Sequence, residues 1–146
     1  MDNISEHITY QEAIHNNHGF ANTPSEDTLR KMELVAEKVF EPVRNHLNEP
    51  ISVNSFYRCV LLNRHIGGAY KSQHTTGEAI DMDCGNRNKE IFDYIKDNLE
   101  FDQLIKEFPT NGNPAWVHCS YSEDNRKQIL VSIKENGKTK YIPFTV

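Results

Sequence analysis

Apolar residues recur every three or four positions at Leu29, Met32, Val35, Val39, Val43 and Leu47. That period lays them along one side of a helix, so a long amphipathic helix is predicted over this stretch. The run Asn22-Thr23-Pro24-Ser25-Glu26 precedes it as a start signal. Thr23 can cap, Pro24 suits the first helical position and Glu26 completes a capping box. Pro42 lies inside the apolar stripe and removes a backbone donor, which predicts a kink or a break there. A second amphipathic helix is predicted over 87–98, with Ile91, Phe92, Ile95 and Leu99 on one side. Shorter helical pieces are expected at 9–16 and 59–66, the latter ended by Gly67-Gly68. Residues 1–7 read as a frayed end.

Later in the chain the period changes from three or four to two. Ile51-Ser52-Val53 alternates, and so does Ala79-Ile80-Asp81-Met82-Asp83. On a strand, Ile80 and Met82 would face the core while Asp81 shares the other face with Ala79 and Asp83. Trp116 to Tyr121 reads the same way, with Val117 and Cys119 set against Trp116, His118 and Ser120. Phe101 to Phe108 fits strand or helix equally well. Residues 128–146 read as a hairpin: Ile129, Val131 and Ile133 alternate, Asn136-Gly137 supplies a two-residue primed turn, and Lys138 to Phe144 returns. Helices first and antiparallel strands later predict an α+β fold, with N-terminal helices packed on a small antiparallel sheet.

At 146 residues the chain is sized for a single domain, 1–146. Its 37% hydrophobic and 25% charged residues are ordinary for a globular protein. No apolar run is long enough to enter a membrane, and the start lacks a secretory pattern, so synthesis in the cytoplasm is expected. The net charge of -5, with basic residues clustered in pairs at most, makes nucleic acid a poor partner. A monomer is expected. Cys59, Cys84 and Cys119 cannot all pair and form no C-x-x-C, so they are expected to be small buried thiols in a reducing compartment.

Chemistry concentrates in Ser72-Gln73-His74-Thr75-Thr76-Gly77-Glu78-Ala79-Ile80-Asp81 and in Trp116-Val117-His118. His74, Asp81 and His118 offer two imidazoles and a carboxylate. A catalytic zinc site uses three such ligands and keeps a fourth position for water. Gly77 can take a positive φ and turn the chain between His74 and Asp81. Spacing alone leaves open both a metal site and ordinary, hydrogen-bonded histidines. His7, His15, His18, His46 and His65 read as surface or structurally satisfied residues.

The segment Ser72 to Asp81 resembles the S-x-H-x-x-G-x-A-x-D signature of the D-Ala-D-Ala carboxypeptidase family of zinc peptidases. That family includes D,D-carboxypeptidases, vancomycin-resistance dipeptidases and phage L-alanyl-D-glutamate endopeptidases, and shares its fold with the hedgehog signalling domain. Asn22-Thr23-Pro24, Ser55-Phe56-Tyr57-Arg58, Leu62-Asn63-Arg64, Gly67-Gly68, Phe101-Asp102-Gln103-Leu104-Ile105 and Trp116-Val117-His118 resemble it too, in the family's order. Together these segments extend over about residues 9–122.

The resemblance implies a hedgehog/D-Ala-D-Ala peptidase-like fold, with His74, Asp81 and His118 as ligands of Zn2+. It implies Arg58 on the substrate's carboxylate or carbonyl oxygen, and Ser72 and Gln73 lining the substrate site. Many relatives carry an acidic general base three residues before the final His, where this chain has Ala115. Glu107, after Phe-Asp-Gln-Leu-Ile, is the preferred base, with Glu78 and Asp83 as alternatives. Cys59 stands where a small hydroxyl residue often follows Tyr-Arg, and is expected to be a tolerated exchange. The substrate implied is the stem peptide of peptidoglycan, cut by carboxypeptidase or endopeptidase action. A phage or mobile-element lysis enzyme, reaching the wall after lysis or holin release, is the implied setting. A zinc-holding binding module without turnover is the alternative.

Overall fold

The computed structural model describes residues 2–145. Its elements run β1 (Asn3–Ser5), β2 (Ile8–Thr9), α1 (Tyr10–Ile14), α2 (Glu26–Val35), a π-helical turn (Ala36–Phe40) and α3 (Glu41–Leu47). Then come β3 (Ser52–Ser55), α4 (Val60–His65), a 3-10 turn (Gln73–Thr76), β4 (Ala79–Asp83), a second 3-10 turn (Gly85–Arg87) and α5 (Asn88–Asn98). Four strands close the chain: β5 (Gln103–Glu107), β6 (Trp116–Ser120), β7 (Gln128–Glu135) and β8 (Lys138–Pro143). The α+β expectation holds.

The expected small antiparallel sheet does not. Six strands form one sheet in the order β3-β4-β6-β5-β7-β8, and the β5–β7 pair is parallel. The cause is the crossover after β6, which carries the chain past the neighbouring β5 to its far side. Asp102, at the entrance of β5, holds that crossover. Its carboxylate accepts from the Arg126 backbone N–H at 3.0 Å and from the Arg126 Nε and Nη2 at 2.9 and 3.0 Å. Lys127 and Gln128 then donate to the carbonyls of Phe101 and Asp102.

Residues 3–5 are not frayed. Ile4 and Ile8 are buried in the core, and the β1–β2 pair is tied to α3 through Glu41, which accepts from the Ser5 hydroxyl and the His7 amide. Met1, also expected to fray, lies outside the described residues. The long helix starts two residues later than the capping box predicted. Ser25, not Thr23, is the N-cap, accepting from the Thr28 amide at 3.2 Å, and Pro24 sits just before the cap. Pro42 neither breaks the helix nor ends it. The turn ahead of it widens, with Glu41 N–H reaching Ala36 O. Widening relieves the clash between the proline ring and the carbonyl four residues back, and absorbs the missing donor.

The period-two pattern separates the sheet's faces. Ile80, Met82, Leu104, Val117 and Cys119 are fully buried against Met32, Val35, Val39 and Phe40 of the long helix and Ile91, Phe92 and Ile95 of α5. The opposite face carries Asp81, His118, Ile105, Glu107, Leu130 and Ser132, aligned by register across β4, β6, β5 and β7. The ambiguous stretch 101–108 resolves as β5 because its alternation matches this division. The C-terminal hairpin turns at Asn136 and Gly137, with φ of 54° and 76° as a primed turn requires.

Candidate active site

The cleft on the open face encloses about 540 Å³, within the range of small-ligand sites. Its lining includes Arg58, Ser72, Gln73, His74, Asp81, Glu107 and His118, the preferred ligand, base and substrate-site residues of the sequence analysis. Asp81 and His118 are direct partners across β4 and β6. Their closest side-chain atoms, Asp81 Oδ1 and His118 Nδ1, are 3.0 Å apart. His74 comes from the 3-10 turn that precedes β4, and its Nε2 lies 3.3 Å from Asp81 Oδ2. One ligand atom from each of the three lies within 4.8 Å of the others.

Local chemistry fixes this turn. Ser72 caps it, accepting from the His74 amide at 3.2 Å. Gly77 ends it at φ 78°, and a Cβ there would come within 2.8 Å of Met32 and Thr28 in α2. Only glycine meets both the conformation and the close approach. The Phe56 carbonyl lies 2.7 Å from His74 Nδ1 and can only accept, so that nitrogen carries the ring proton of the neutral imidazole. Nε2 then presents its lone pair to the Asp81 carboxylate. Two acceptors in contact need a proton or a cation between them. Burial holds the His74 pKa down, against the pull of Asp81, which disfavours the proton. Burial alone would raise the Asp81 carboxyl, but the two imidazoles reverse that and hold it well below the usual range. The donor set, two imidazole nitrogens and a carboxylate oxygen, suits a zinc-like cation.

Arg58 is locked to the same turn, since its amide donates to the His74 carbonyl at 3.1 Å and its Nη2 to Ser72 Oγ at 3.3 Å. Its buried Nε has no partner among the described residues. Burial lowers its pKa, with Asp81 opposing. Asn22, buried, spans this segment by donating to the Ile14 and Tyr57 carbonyls and accepting from the Cys59 amide at 2.7 Å. Cys59 itself caps α4, its sulfur accepting from the Leu62 amide at 3.5 Å. A hydroxyl does that job better, and here the thiol takes its place at the cap.

Of the three carboxylates considered as base, only Glu107 lines the cleft. Glu78 lies outside it and accepts from the Thr76 hydroxyl, while Asp83 accepts from the Gly85 amide and the Asn88 side chain. Burial raises the Glu107 pKa, and the Ser132 hydroxyl, at 2.6 Å, works the other way. Phe108 follows in the left-handed region, φ 43°, with its ring 5.5 Å from that of Trp116 at the cleft wall.

Several contributors were not legible beforehand. Arg126, Lys71, Tyr141, Phe108 and Leu130 line the cleft, and Ser132 lies behind Glu107. Ser132 had one visible signal, a small polar residue inside the apolar run Ile129 to Ile133.

No curated protein matches the chain. The family described as Peptidase M15 matches residues 6–120, a span that contains His74, Asp81, Glu107 and His118 and stops at the end of β6. With that match over most of its length, the chain belongs to the peptidase M15 family.

Proposed function

We propose that this protein is a zinc-dependent peptidase that hydrolyses amide bonds in peptidoglycan stem peptides. The observation carrying this reading is the convergence of His74, Asp81 and His118 in one cleft with a further, buried carboxylate, Glu107. His74 Nε2, Asp81 and His118 Nδ1 would hold the ion. When bound, zinc supplies Lewis-acid activation for hydrolysis at near-neutral pH.

The protein's own groups do the rest. Glu107 takes a proton from the attacking water and delivers it to the leaving amine, a role for which a burial-raised pKa is suited. Arg58 offers its Nε, without a partner among the described residues, and its forked guanidinium to a substrate carboxylate or to the oxygen that gains charge. Ser72 and Gln73 line the approach, each anchored on one side: Ser72 by Arg58 and Gln73 by Asp102 at 2.9 Å. Arg58, Lys71 and Arg126 give the cleft three cations in a chain whose net charge is -5. Such a cleft favours an acidic peptide, and the peptidoglycan stem is one. A role in phage or mobile-element lysis accords with that substrate.

A zinc-holding module without turnover would have no use for a second carboxylate facing the cleft, so Glu107 favours the enzyme. The test is incubation of zinc-loaded protein with purified sacculi and with soluble stem peptides, followed by mass spectrometry. Free D-Ala identifies a carboxypeptidase, and internal cuts with new amino termini identify an endopeptidase. Intact substrates beside a stoichiometric zinc load would overturn the reading in favour of the binding module.

A further inference from the structure

Strand β7 lies beyond the matched residues 6–120, yet it runs beside β5 and sets Ser132 directly opposite Glu107. Ser132 is fully buried. Its oxygen accepts from the Phe108 amide at 3.1 Å, an amide that also reaches the Ser132 carbonyl at 3.1 Å. Its single proton goes to Glu107 Oε1 at 2.6 Å. A hydroxyl that receives at one side and has only one acceptor on the other has a fixed direction.

We propose that Ser132 is a positioning residue for Glu107, so that the C-terminal hairpin completes the active site rather than merely extending the sheet. The inference rests on the peptidase reading and on Glu107 as its base. The hydroxyl occupies Oε1 and holds the carboxylate in one rotamer, leaving Oε2 for the proton that moves during hydrolysis. The same bond keeps the moving proton off Oε1. Were Glu107 to keep a proton on Oε1, the Ser132 hydrogen would lose its acceptor inside the protein. The left-handed backbone at Phe108 belongs to the same device, because it turns that amide onto Ser132 just after Glu107.

The experiment is a double-mutant cycle on the zinc-loaded full chain, with hydrolysis of sacculi followed by released amino groups. Ser132→Ala is expected to lower kcat by about 10²-fold with little change in KM, because a misaimed base is nearly as poor as a distant one. Zinc stoichiometry should stay unchanged. Ser132→Thr, which keeps the hydroxyl, should recover most of the lost rate. In a Glu107→Gln background, Ser132→Ala should cost nothing more, since the group it aims is gone. Equal losses from Ser132→Ala in both backgrounds, or full activity of Ser132→Ala beside an inactive Glu107→Gln, would overturn this inference and leave the peptidase reading standing. A wild-type protein that binds zinc and cuts nothing would overturn both.

Discussion

Among the described residues, two clusters bring histidine and carboxylate together closely enough to hold a cation: His74, Asp81 and His118 in the cleft, and Glu6, His7 and Glu41 near the N-terminus. They differ in what their atoms already do. Glu41 accepts from the Ser5 hydroxyl at 2.6 Å, the His7 amide at 2.9 Å and the His7 ring at 2.6 Å, and Glu6 is exposed. That cluster is a staple between a strand pair and a helix, its hydrogen bonds satisfied from within. In the cleft, the Phe56 carbonyl takes the proton-bearing nitrogen of His74 and turns the remaining lone pair toward a partly buried carboxylate. Proximity alone does not make a metal centre. An imidazole lone pair facing a carboxylate makes the cleft the stronger candidate.

Removing one carboxylate from each cluster should have the largest and most unequal effects. Asp81→Asn should abolish stoichiometric zinc binding, measured by elemental analysis, and reduce hydrolysis to background. It should also erase the rise in Tm expected when zinc is added to the wild type, a rise worth about 2.7 kcal/mol at a hundredfold excess over Kd. Glu41→Gln should leave zinc stoichiometry and kcat intact.

Glu107→Gln comes next, expected to lower kcat by about 10² to 10⁴-fold while zinc stays bound. It separates the carboxylate proposed to do chemistry from Asp81, the one proposed to hold the ion. Retention of wild-type turnover would move the base elsewhere.

Smaller is the stability effect of Glu41→Gln, about 1–3 kcal/mol by denaturant titration, for loss of charge-assisted hydrogen bonds. Burial would raise the Glu41 pKa, but the bonds from His7 and Ser5 outweigh it and the value is lowered. Its contribution is therefore complete above the unfolded carboxyl pKa, about 4.3, and is lost as pH falls through the lower folded value. The wild type should lose stability over that acid window more steeply than Glu41→Gln. Smallest is Cys59→Ser, which restores an oxygen at the α4 cap and should stabilise by about 0.5–1 kcal/mol without touching either cluster.

Much of the cleft was legible because its parts sit on local patterns. Period two placed Asp81 and His118 on the open face and Ile80, Met82, Val117 and Cys119 in the core, as register and burial bear out. Gly77 announced the turn between His74 and Asp81. Glu107 was nameable as a candidate, but its partner was not, because Ser132 reaches it through a parallel pairing between segments 25 residues apart. The hairpin itself was visible, since the Asn136-Gly137 turn is local. Its docking beside β5 was not, since that depends on Asp102 gripping Arg126 at the entrance of the two strands. The π turn before Pro42 was hidden for a related reason: packing of Val39, Phe40 and Val43 keeps the helix whole where the backbone alone would break.

Asp102 has a second hold, on the Gln73 side chain, one residue from His74. The same buried carboxylate thus latches both the crossover that delivers the hairpin and the loop that carries the first histidine. Thermal fluctuation should therefore not loosen these two regions separately. Amide hydrogens over 126–128 and over 73–76 are expected to exchange in a common opening event, and Asp102→Asn should speed both together.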